Sequence, residues 1–190
     1  AAKKIFTQKG FAGARMQEIA DEAKINKSML HYYFRSKELL FEKILDNSIK
    51  LVIPKFLEAI GKNGTIIEKL EELVHTYIDT ILENPHMPMF ILYELSQNRL
   101  DFISKMKAQL DMHNIFSEFL LQITEEQKQG IIKQIPAKHL IINVMSLIIF
   151  PFIAKPIFIF SLELPPSDYN QMLVERKEII MKFLKDALLV

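Results

Sequence analysis

Cysteine is absent from the 190 residues, which excludes disulfides, thiolate zinc fingers and thiol catalysis together. Glycine is scarce, at 5 residues, and few stretches alternate apolar and polar side chains as strands do. Leu, Ile, Lys and Glu dominate instead, a composition that favours helices. No basic-then-apolar leader opens the sequence, so the cytoplasm is the expected compartment. The chain begins at Ala1 inside what reads as a helix, and further residues are expected ahead of it. His75, His86, His113 and His139 are scattered without metal-ligand spacing, and HExxH does not occur. Nothing resembles a nucleophile elbow, a phosphate loop or a purposeful pair of carboxylates. The expectation is therefore no metal, no cofactor and no enzyme.

What is present is a chain able to bury a core, with 49% hydrophobic and 25% charged residues. The net charge of +1 conceals an asymmetry. Residues 1–50 carry ten Lys and Arg against six Asp and Glu, while the remainder carries fourteen against seventeen. A basic head on a slightly acidic body points to a polyanion as the partner of the head.

The spacing of apolar residues divides the chain into helices. Ala2, Ile5 and Phe6 share one face of a first helix, which Gly10 is expected to stop. Met16, Ile19, Ala20 and Ala23 form the inner side of a second. Lys24-Ile25-Asn26 makes a turn, Asn26 is a good N-cap, and Leu30 and Phe34 stack at i and i+4 on a third helix over 27–34. Three short helices with a tight turn before the third are the skeleton of a helix-turn-helix. A longer helix starts at the Ser36 cap, with a kink expected at Pro54. Thr65 and Glu68 make a capping box for a helix to about Glu83. Helices follow from about 87 to 97, 101 to 125, 137 to 162 and 168 to 189, the last two strongly apolar or amphipathic. The expected class is all-α, with a helix-turn-helix unit over 1–45 and a helical body over 46–190.

A recognition helix must turn one face to its core and the other to a DNA major groove. With Leu30 and Phe34 inward, the 100° step puts Ser28 and Tyr32 nearly opposite them. Met29 and His31 fall on the shoulders, and Lys27 and Tyr33 flank the core face. Lys27, Tyr32, Tyr33 and Lys37 suit phosphates, and the helix start at Asn26–Ser28 offers free backbone donors to another.

The stretch GFAGARMQEIADEAKINKSMLHYYFRSKELLFEKIL, residues 10–45, resembles the DNA-binding segment of the TetR family of bacterial transcriptional regulators. The elements that carry the resemblance are Gly10-Phe11, Glu18-Ile19-Ala20, Lys27, Leu30, Tyr32, Phe34 and Ser36-Lys37-Glu38-Leu39. Two positions depart from the family pattern. Arg15 stands where Thr or Ser usually caps the second helix and touches phosphate, and Ser28 stands where Gly often lets the backbone approach DNA. Arg15 retains the reach to a phosphate.

The resemblance implies a homodimer on double-stranded operator DNA, with two C-terminal helices of each copy forming a four-helix interface. Residues 140–162 and 172–188 fit that role, and the expected contacts are Leu140, Val144, Leu147, Ile148, Ile179, Ile180, Phe183 and Leu184. It also implies a ligand pocket among the middle helices. Tyr77, Met87, Phe90, Tyr93, Met112 and Phe116 lie at helical spacings suited to an apolar cavity, so a small apolar effector is the expected partner. The run 140–162 is long enough to span a membrane, but Asn143, Pro151, Lys155 and Pro156 interrupt it. No membrane partner is expected. The resulting reading is a sequence-specific regulator, in the repressor sense, released by that effector. The alternative is a helical lipid- or small-molecule-binding protein or enzyme that uses the C-terminal cavity, which leaves the basic head without a purpose.

Overall fold

The computed structural model describes residues 1–96, 104, 107, 108 and 114–190. Met112 and His113 lie outside them. The described residues form helices joined by short connectors, with no strand among them beyond one isolated antiparallel bridge between Ile132 and Leu189. The helices are α1 (Ala2–Gly13), α2 (Met16–Glu22), α3 (Lys27–Phe34), α4 (Lys37–Gly61), α5 (Ile66–Glu83) and α6 (Met87–Ser96). After the undescribed stretch come α7 (Ile115–Lys128), α8 (Ala137–Ile153), α9 (Lys155–Ser161) and α10 (Pro166–Leu188).

Two separate apolar clusters organise these helices. The first gathers Ile5, Phe6, Ala14, Ile19, Ala20, Leu30, Leu40, Phe41 and Ile44, joined by Phe90 of α6. The second begins at Leu45 and continues through α4, α5, α7, α8 and α10. The long helix α4 runs from one cluster into the other, and remains helical through Pro54.

At the centre of the second cluster, α5 packs on α4, α10, α8 and α7. Leu70, Leu73, Val74, Tyr77, Ile78 and Ile81 fall on its buried side at helical spacing. Its N-terminus is closed twice. Thr65 and Glu68 form the expected capping box, and the carboxylate of buried Glu126 on α7 accepts the Ile66 N–H at 3.1 Å. Along the other side, α10 is tied to α5 by Lys177 to Asp79, by Lys185 to Glu71 at 3.3 Å and by the closely placed His75 and Glu178.

The apolar run 137–162, expected as one helix, is two. α8 and α9 meet at a 73° bend after Ile153. Pro151 has no N–H to give the Leu147 carbonyl, and Arg176 of α10 donates to it at 2.9 Å instead. The hydroxyl of fully buried Tyr169 donates to the Pro151 carbonyl, also at 2.9 Å. Among the described residues no single helix is long and apolar enough to cross a membrane, although the bent pair α8–α9 has the length and composition when taken together.

The apolar stripe of α8 and α10 is used differently from the expectation. Leu140, Val144, Ile148, Ile180 and Leu184 sit in the interior of the single chain and present nothing to a second copy. Leu147 is half-buried. Of the expected contacts only Ile179 and Phe183, each 60% exposed, lie on the surface, where Ile142 and Phe150 are also uncovered. The two helices first serve the monomer core, and a second, shallower apolar face remains outside.

The first helix breaks at Gly10, where the sequence placed its stop: the backbone takes φ 66° and ψ 174° there, and a separate helical turn follows across the kink to Gly13. That kink redirects Phe11, whose ring meets Phe6 and Phe41 at 6.0 and 5.1 Å. A Cβ at Gly10 would meet no atom within 4 Å, so its backbone conformation alone resists substitution. Gly10→Ala is expected to lower unfolding stability by about 1–3 kcal/mol in denaturant titration. An unchanged midpoint would show that the kink carries no strain for a side chain.

Candidate nucleic-acid interface

The recognition helix α3 is held from below and capped at its start. Leu30 is buried against Ile19 and Ala20, and the Asn26 side chain accepts the Met29 N–H at 2.6 Å. The turn into it closes with Ile25 N–H on the Ala20 carbonyl at 3.0 Å and with Lys24 in the left-handed region at φ 55°. At the other end Arg35 has φ 56°, and the Ser36 hydroxyl accepts the Leu39 N–H to begin α4. Lys24 and Arg35 are exposed cations at the two ends of α3 that sequence reasoning did not single out. The helical turn fixed their position, not a pattern legible in their neighbours.

The outer face of α3 is open. Lys27, Ser28, Met29, His31, Tyr32 and Tyr33 are all exposed, Tyr32 to 81%. Tyr32 and Tyr33 meet edge to face at 5.4 Å. The His31 ring places Nδ1 3.0 Å from the Arg35 carbonyl. A carbonyl only accepts, so Nδ1 is the donor of this contact. Such an array offers donors, an acceptor, aromatic area and a cation along a helix about 12 Å long.

The surrounding charges favour an anion. Glu18 is paired with Lys9 and Glu22 with Lys4, both at 2.7 Å, and Asp21 accepts from Gln17. The Lys9 and Lys4 hydrogen bonds hold these two carboxyls below their ordinary pKa. Their pairing is thus complete at neutral pH and lost only as pH falls through the lowered values. Among the described residues Arg15, Lys24, Lys27 and Arg35 make no ion pair, which leaves the positive charge outward.

Arg15 occupies the N-cap of α2 and its side chain has no acceptor to give. Glu18 compensates in part by accepting the Arg15 N–H at 3.3 Å. Arg15 itself is exposed and available.

Lys37 is placed otherwise than the sequence suggested. Its ammonium donates to the carbonyls of Phe11 at 2.8 Å and Ala14 at 3.1 Å, with Ala12 at 3.5 Å, and lies 4.5 Å from the centre of the Phe11 ring. A cation on the last carbonyls of α1 is favourable, and it ties the first turn of α4 to α1. The contact spans more than twenty residues, so no local pattern announced it.

The residues expected around a ligand also separate. Tyr77 and Met87 line an apolar cavity of about 180 Å³ with Val52, Ile53, Ile91 and Met145. Phe90 and Tyr93, on the opposite face of α6, pack instead on the head: Phe90 stacks on Phe41 at 4.9 Å, and Tyr93 lies 5.8 Å from the same ring. Phe116 packs beside Phe56 at 6.0 Å. Helical spacing marked all of them as inward-facing without saying toward what.

Replacing Lys37 by Met removes a charged donor from three carbonyls, and a stability loss of about 1.5–3 kcal/mol is expected in denaturant titration. The salt dependence of binding to a DNA duplex should stay unchanged. Lys27→Ala should do the reverse, leaving stability intact and reducing the log–log salt slope by about 0.9. A reduced slope for Lys37→Met with normal stability would place Lys37 on phosphate.

The sequence pattern of the bacterial regulatory proteins of the tetR family matches residues 1–44. The probable HTH-type transcriptional regulator YttP of Bacillus subtilis (strain 168) is 26% identical over 153 residues, spanning 78% of this chain and 72% of that protein. A variant of HlyIIR with an internal segment replaced by a linker is 30% identical, superposes with a TM-score of 0.61, and is covered to 91% by 92% of this chain. AibR, solved with isovaleryl coenzyme A and operator DNA, shares the fold with a TM-score of 0.64 at 16% identity, 91% of each chain being covered. The capped helix-turn-helix, its all-helical body and these likenesses agree: this chain belongs to the TetR family of transcriptional regulators.

Proposed function

We propose that this regulator represses transcription as a homodimer on a pseudo-palindromic operator and leaves it when a small apolar ligand binds. The exposed outer face of the capped helix α3 carries the reading. Residues 1–45 act as the DNA-binding unit and 46–190 as the ligand-binding and dimerisation unit. Ser28, Met29, His31 and Tyr32 face base edges, while Arg15, Lys27, Tyr33 and the backbone start of α3 at Asn26 meet phosphates.

One α3 reads too few bases for specificity, and two-fold symmetry doubles the contact. The uncovered face of α8 and α10, with Ile142, Phe150, Ile179 and Phe183, supports the dimer. It would set the two α3 helices about 34–36 Å apart, one turn of the duplex.

Release is supported by the placement of α6. Met87, Pro88, Ile91, Leu92 and Leu95 on one face line the 180 Å³ cavity, and Phe90 and Tyr93 on the other are packed into the head. A ligand that displaces α6 therefore moves α1 and α4 with it. Switching from mostly bound to mostly free requires about 10⁴-fold preference for the displaced state. AibR, of the same fold, was captured with both a ligand and operator DNA, which supports the same pairing of functions here.

Ile179→Asp with Phe183→Asp is expected to give a folded monomer in analytical ultracentrifugation, with operator affinity reduced at least a hundredfold in mobility-shift assays. Tyr32→Ala should leave the dimer intact and weaken operator binding about tenfold or more. A double mutant that stays dimeric and binds normally would place the interface elsewhere.

A further inference from the structure

The two cations that flank α3 both sit on backbone that disfavours a side chain. Helix α2 ends in a Schellman turn, in which the Ile25 N–H donates to the Ala20 carbonyl and the Lys24 N–H to the Asp21 carbonyl, each at 3.0 Å. Lys24 takes φ 55° there, at the position glycine usually fills. Arg35 follows α3 with φ 56° and ψ −44°, and across it the Ser36 N–H donates to the Phe34 carbonyl at 2.5 Å. That is the rarer, strained form of γ-turn. His31 braces it twice: its carbonyl accepts the Arg35 N–H at 2.8 Å, and its Nδ1 donates to the Arg35 carbonyl at 3.0 Å. Neither turn uses the side chain it carries. Lys24 and Arg35 are exposed, and among the described residues neither side chain makes an ion pair or a hydrogen bond. The nearby acids are taken, Glu22 by Lys4 and Asp21 by Gln17.

A side chain on strained backbone persists where something else retains it. Positive charge is what the two positions share. α3 is about 12 Å long, close to the width of the B-DNA major groove. Lys24 lies three residues before its first residue and Arg35 one after its last, so the pair brackets the helix. We propose that Lys24 and Arg35 clamp phosphates on the two walls of the groove that α3 enters, and that their positive-φ turns are kept for that charge. The inference rests on the reading that the outer face of α3 meets DNA, and adds the two contacts that hold α3 in register there. Such contacts position the helix without reading bases.

The test is salt-dependent binding of the full chain to a duplex it selects from a random pool, with urea unfolding of the same samples. Lys24→Gln and Arg35→Gln remove the charge and keep the demand on the backbone. Each is expected to reduce the log–log salt slope by about 0.9 per bound copy and to leave the unfolding midpoint unchanged. Lys24→Gly and Arg35→Gly should reduce the slope equally and raise the midpoint, because glycine adopts positive φ freely. Lys24→Arg and Arg35→Lys should keep the original slope. A slope unchanged in either glutamine variant, while Lys27→Ala reduces it, would overturn the clamp and leave α3 on DNA. A slope unchanged in all of them, Lys27→Ala included, would overturn both readings. Reduction by glycine but not by glutamine would assign the effect to the turns and overturn the clamp. A lower midpoint in the glycine variants would overturn the claim that the turns are strained for the sake of the charge.

Discussion

The contact on which the rest depends is the insertion of Phe90 from the body into the core of the head, where it stacks on Phe41 and meets Phe6 edge-on at 5.8 Å. Removing a buried phenylalanine typically costs about 3–5 kcal/mol, enough to make this a firm joint and not a brush of surfaces. α4 connects the two clusters through the backbone, and α6 connects them a second time through packing. Two connections turn a flexible tether into a lever. α6 therefore carries both packing surfaces on one helix, Met87 in the body cluster and Phe90 against Phe41 and Phe6.

The head is built so that little of α3 is spent on holding itself together. Leu30 faces inward, Asn26 caps the start, and Lys37 secures α1 to α4 from the side. Acidic residues on α2 are matched by lysines of α1 or by Gln17, and among the described residues Arg15, Lys24, Lys27 and Arg35 around α3 make no ion pair. The price of the geometry is paid in backbone conformation: Gly10, Lys24 and Arg35 all take positive φ where the chain must change direction.

Much of this was legible in the sequence, for identifiable reasons. The 100° step alone separates Leu30 from Tyr32, and Asn26 and Thr65 are caps by residue type and position. Contacts between distant segments were not legible. Nothing near Lys37 announces the carbonyls of α1, and nothing near Leu147 announces Arg176. α10 shows the limit most clearly, because its apolar stripe is wider than the monomer can cover. Periodicity identifies that stripe but cannot say that Ile180 and Leu184 belong to the chain's own core while Ile179 and Phe183 remain outside. The same limit merged the two faces of α6 into one expected pocket, where Met87 and Phe90 in fact serve different cores.

The central claim is that two α3 helices, held by a symmetric dimer, read DNA one turn apart. Selection of bound duplexes from a random pool, followed by hydroxyl-radical footprinting of the winners, tests it most directly. The account predicts a pseudo-palindrome with two protected tracts whose centres lie about 10–10.5 base pairs apart, or a multiple of that. Enrichment of no symmetric motif, or a single protected tract of one half-site, would contradict it.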